Sequence, residues 1–81
     1  MTVELLLFAE GRTAAGRASV RLELPTGASI DDLWGVVERA CPALLRFRAA
    51  SRIAVNREFA DAATRIREGD EVALIPPVSG G

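Results

Sequence analysis

One stretch of this sequence carries the periodicity of a full helix, and that limits the architectures open to the chain. Ile30, Leu33, Trp34, Val37 and Cys41 recur at the spacing of one helix face, while Asp31, Asp32, Glu38 and Arg39 fall largely on the other. Ser29 stands three residues before Asp32, the spacing of a capping box with Asp in place of Glu. Asp31 and Asp32 in the first turn and Arg39 in the last suit the helix dipole. Pro42 disfavours helical backbone at Cys41, so one main helix is expected over about 29–41. A single helix can cover only one face of a sheet, which makes the expected class α+β.

The other apolar segments read as strands. Residues 3–8 form a continuous apolar run broken only by Glu4, expected to be a strand buried on both faces. Gly11 and Gly16 break residues 10–17 into a loop or turn. In residues 19–24, Val20, Leu22 and Leu24 alternate with Arg21 and Glu23, a half-buried strand that pairs back on the first as a hairpin. Residues 43–51 are open between a short helical turn and a packed loop. Ile53, Ala54 and Val55 make a short strand ending in a turn at Asn56-Arg57-Glu58, with Phe59 starting a brief return strand. Residues 61–66 read as a short helical turn, and Gly69 suits the positive φ of a tight turn before a last strand over 71–75.

The first and last strands are the most continuously apolar and belong side by side in the middle, with a link long enough for parallel pairing. The order β-β-α-β-(β)-β is that of a β-grasp roll, the arrangement of ubiquitin, with a mixed sheet of four or five strands. Residues 1–76 are expected to form this domain and residues 77–81 a flexible tail.

Composition excludes more than it proposes. A chain of 81 residues supports one small core, worth on the order of 3–5 kcal/mol. Ten basic side chains, all arginine, against eleven acidic ones leave no block of like charge and no footprint of a nucleic-acid binder. No basic leader and no run of membrane-spanning length is present, so a cytoplasmic protein without membrane contact is expected. Absent histidine and a single cysteine remove the usual zinc sites. With no histidine, tyrosine or lysine, the chain lacks the commonest acid–base groups and any ε-amine. A self-contained active site is not expected.

What stands out is the ending, Pro76-Pro77-Val78-Ser79-Gly80-Gly81. Two prolines stop the strand and favour a stiff, extended stem. Gly80 and Gly81 carry no side chain and can follow a channel only a backbone wide. A terminal carboxylate at Gly81 is an anion at neutral pH and reacts as an acyl donor only after activation, ordinarily as an acyl-adenylate formed from ATP. No nucleotide-binding motif is present, so another protein must supply that step. A frayed, solvated end is the plain alternative.

Leu7-Phe8-Ala9 with Arg12, Leu22-Glu23-Leu24-Pro25, Val55-Asn56-Arg57-Glu58 and the run from Gly69-Asp70-Glu71-Val72 to Gly81 resemble a known family, the small sulfur-carrying subunits of molybdopterin synthase in the MoaD/ThiS group of ubiquitin-like carriers. The resemblance covers the whole chain. It implies a non-catalytic subunit that binds no cofactor of its own. A ubiquitin-activating-type (MoeB-like) adenylyltransferase would spend ATP to adenylate Gly81, and a sulfur donor would convert it to a thiocarboxylate. Pro77, Val78, Ser79 and Gly80 would carry it into the large (MoaE-like) subunit, in a heterotetramer, where sulfur passes to cyclic pyranopterin monophosphate. The same tail chemistry also fits carriers for thiamine or cysteine synthesis and ubiquitin-like protein modifiers.

The resemblance further places Phe8, Arg12, Phe59 and Ile75 at the partner interface. For Phe8 and Ile75, on strands in mid-sheet, a core position fits equally well, whereas Phe59 is expected to be the more exposed. Cys41, on the apolar side of the helix with no histidine to activate it, reads as core. Two departures stand in this sequence: Thr13-Ala14 where the family often has Glu-Leu, and Ile75 where it often has an aromatic.

Overall fold

Alternation along the strands decides which face of the sheet meets the helix. The computed structural model describes residues 1–76. In chain order it contains β1 (Thr2–Leu7), α1 (Ala9–Ala15), β2 (Ser19–Glu23), α2 (Ile30–Ala40), a 3₁₀ turn (Pro42–Phe47), β3 (Arg52–Val55), β4 (Glu58–Phe59) and β5 (Val72–Ile75). The sheet order is β2-β1-β5-β3-β4. β1 runs antiparallel to β2, with Leu5 opposite Val20, and parallel to β5, with Leu6 opposite Ala73. β3 is antiparallel to both β5 and β4. The first and last strands are thus central and parallel, and the fold is a mixed five-stranded β-grasp roll.

Leu5, Leu7, Leu22, Ile53, Val72 and Leu74 are buried on one face of the sheet. Against them α2 buries Ile30, Leu33, Trp34 and Val37. Its capping box is formed: Asp32 N–H donates to Ser29 Oγ at 3.1 Å, and Ser29 N–H to Asp32 Oδ2 at 3.0 Å. The Ser29 backbone N–H, and after it the Ser29 hydroxyl, hold the Asp32 carboxyl below its ordinary value of 3.8.

Four expectations need correction. β1 is not buried on both faces: Glu4 is exposed and Leu6 only half-buried, because no helix among the described residues covers the outer face. Residues 10–17 are not a loop but mostly α1. Gly11 sits inside this helix where an added Cβ would lie 3.4 Å from Leu74 Cδ2, and Gly16 at φ 72° is its left-handed cap. Residues 61–66 are not helical, since Asp61 Oδ1 accepts from the N–H groups of Ala63 and Thr64, closing a side-chain turn. Ile66 beyond it is fully buried. Cys41 is only half-buried at the end of α2, although it packs on the core. The open segment after Pro42 resolves as the 3₁₀ turn, which buries Leu44 and Phe47. No helix among the described residues is long and apolar enough to cross a membrane.

Candidate functional site: the outer sheet face and the exit of β5

β5 ends at Ile75, opposite Arg52 of β3, and Pro76 cannot donate a further ladder bond. The tail residues Pro77, Val78, Ser79, Gly80 and Gly81 lie outside the described residues.

The lead into β5 is held by a polar clasp. Gly69 takes φ 88°, and Asp70 closes the turn by accepting from Arg67 N–H at 2.8 Å. The other oxygen of Asp70 accepts from the Asn56 amide at 2.9 Å, and Asn56 Oδ1 accepts from Glu71 N–H at 2.9 Å. Asn56 N–H completes the clasp on Glu71 O at 2.7 Å. Arg67 N–H, then the Asn56 amide, hold the Asp70 carboxyl below its ordinary 3.8. The β3–β4 turn is thereby tied to the start of the strand that carries the tail.

The outer face of the sheet gathers the apolar residues that the core does not take. Register sets Leu6, Ala73, Ala54 and Phe59 in one row across β1, β5, β3 and β4. The two alanines are small and low, which leaves a groove of about 470 Å³. Phe8 and Phe59 stand at its sides, 44% and 59% exposed, and are the two large exposed hydrophobic side chains among the described residues. Ile75 completes the apolar lining, and Arg57 and Glu71 lie at the edge. Phe8 is set outward by the backbone: its carbonyl accepts from Gly11 and Arg12 N–H as α1 begins, while its own φ and ψ stay extended. On the other side the Arg52 guanidinium covers the Phe59 ring at 4.3 Å from the centroid. Two exposed aromatics around an apolar trough have the make-up of a protein-docking face.

Three of the residues expected at an interface, Phe8, Phe59 and Ile75, therefore share one groove. Arg12 does not line it and sits exposed on α1. The sequence reading missed the floor (Leu6, Ala54, Ala73) and the clasp residue Asn56. Alternation in β3 and β5 carried the signal for the floor, once the two strands are set in register. Among the described residues no polar or charged residue is buried.

A family model described as the ThiS family matches residues 5–81. The molybdopterin synthase sulfur carrier subunit of Chlamydomonas reinhardtii is 37% identical over 83 aligned positions, covering the whole of both chains. That of Homo sapiens is 33% identical, covering 98% of this chain and 93% of the relative. Among solved structures, SAMP1 of Haloferax volcanii, a small archaeal modifier protein, superposes with a TM-score of 0.86 at 32% identity over all of both chains.

Proposed function

The chain belongs to the ThiS family, and from that premise we propose that it is the sulfur carrier subunit of a molybdopterin synthase. The observation that carries the reading is that similarity to molybdopterin synthase carriers runs the full length of the chain, with the family match reaching Gly81. A carrier needs a slim reactive end, a fixed stem and a surface for partners. The sequence supplies the first two in Gly80-Gly81 and Pro76-Pro77, and the groove on the outer sheet face supplies the third.

The chemistry follows from the carboxylate. An oxygen of the Gly81 carboxylate attacks the α-phosphorus of ATP on an activating partner, and pyrophosphate leaves. Sulfide then displaces AMP from the acyl carbon and gives the thiocarboxylate directly, whereas a persulfide displaces AMP to give an acyl disulfide that a thiol of the donor system reduces to the thiocarboxylate. In the large synthase subunit the thiocarboxylate sulfur bonds to a carbon of the pterin precursor as an oxygen substituent leaves that carbon, which gives an acyl–sulfur–carbon link. Water returns oxygen to the acyl carbon and restores the carboxylate. Each catalytic base belongs to a partner, in keeping with a chain that has neither lysine nor histidine. Phe8, Phe59 and Ile75 dock the partner, Arg12 contacts it beside them, and Pro77, Val78, Ser79 and Gly80 occupy its channel. The assembly is a heterotetramer, and it works in the cytoplasm.

The test is pterin sulfuration reconstituted with the large subunit, an activating enzyme, ATP and a sulfur donor. Deleting Gly81 should abolish product while leaving the melting temperature unchanged. Full activity of the deletion would refute a carrier role.

The similarity to a small archaeal modifier protein favours a second reading, attachment of Gly81 to lysines of other proteins. Gly-Gly remnants on target lysines in the native host, lost with Gly81, would establish it.

A further inference from the structure

The β3–β4 hairpin turns through two residues, Asn56 at φ 52° and Arg57 at φ 70°. Consecutive positive φ values are those of a type I′ turn, whose preferred pair is Asn-Gly. Asn56 fits this geometry and is also held by the clasp to Asp70 and Glu71. Arg57 has no such reason in the fold. Its backbone takes the left-handed region that glycine enters without strain, and its side chain is 87% exposed. Its one ion pair among the described residues, from Nε to Glu71 Oε2, spans 3.5 Å and is open to solvent. Exposed pairs of this kind add little stability. The strained position nevertheless lies at the edge of the docking groove, where a side chain can meet whatever covers it.

Two arginines stand on this side of the sheet: Arg57, paired with Glu71, and Arg52, stacked on Phe59. We propose that Arg57 determines partner choice at this groove: its guanidinium, displaced from Glu71 on docking, pairs with a carboxylate on the rim of the partner subunit. The inference rests on the carrier reading, which supplies a partner protein. Glu71 then acts as a placeholder that holds the guanidinium over the groove and competes with the partner for it. A bidentate carboxylate–guanidinium bond is stronger than the loose internal pair it replaces.

The experiment measures binding of the full chain to the large synthase subunit of the same organism, at low salt and at high salt, with melting temperatures alongside. R57G relieves the turn and removes the charge, so it should melt no lower than wild type yet bind roughly tenfold more weakly at low salt, mostly through slower association. The difference should shrink at high salt. R57K keeps the charge and should recover part of the affinity. E71Q removes the competitor and should bind at least as tightly as wild type. Equal affinity of R57G and wild type at both salts overturns the proposal, and so does weaker binding by E71Q, which would mean the partner presents a base. If wild type itself does not bind, the carrier reading fails and this inference with it.

Discussion

Asp70 shows how one side chain joins the turn chemistry of this fold to its function. It receives Arg67 N–H and the Asn56 amide, and so fixes both the turn before β5 and the hairpin beside the groove. Because these bonds favour the ionised form, its carboxyl titrates lower in the folded chain than its ordinary 3.8. A group with a depressed folded pKa stabilises above the unfolded value and loses that contribution as pH falls through the folded one. Asp70 should therefore add stability at neutral pH that fades only below about pH 4. Asp32 shifts in the same direction and fades in the same window. D70N should melt at a lower temperature than wild type at pH 7, with the gap narrowing on acidification. Melting curves from pH 7 downward check this, and a gap constant with pH would show that charge plays no part.

At the scale of elements, α2 depends on its own sequence. Its periodicity, its capping box and the proline after Cys41 are all local signals, and the helix forms where they place it. S29A should cost about 1 kcal/mol. For a domain of this size that is a fall of about 4–8 °C in melting temperature. No change on thermal melting would mean the cap bonds are replaced by water.

The remainder was less legible because its causes lie elsewhere in the chain. Gly11 reads as a loop residue, yet it is a buried helical residue packed beside Leu74, more than sixty positions away. Gly16 was a sound punctuation mark that ended a helix where a loop was expected. The apolar run at the start of the chain suggests two buried faces, and only the finished sheet shows that among the described residues one face has no helix over it. Phe8, Phe59 and Ile75 could be selected from the sequence. That they share a groove over Ala54 and Ala73 follows from strand register for Phe59 and Ile75 and from the backbone at the start of α1 for Phe8. Arg12, selected on the same resemblance, lies exposed outside the groove.

The whole molecule divides its sheet between two tasks. One face packs under α2 and holds the fold together, and the other keeps two phenylalanines in solvent. Exposed apolar area adds nothing to the stability of the isolated domain, so its removal should be harmless to folding. The double variant F8S/F59S should melt within a few degrees of wild type and lose at least ten times in affinity for the large subunit. Unfolding of the variant would show that these rings belong to the core.

The carrier role itself comes down to the chemical state of one atom at the end of the chain. Intact-mass and fragment-mass analysis of the protein from its native host reads that state directly. Exchange of one oxygen for sulfur, confined to Gly81 and lost when the activating enzyme is absent, is the expected result. A Gly81 that remains an ordinary carboxylate while pterin sulfuration proceeds, or sulfur found on Cys41 instead, would contradict it.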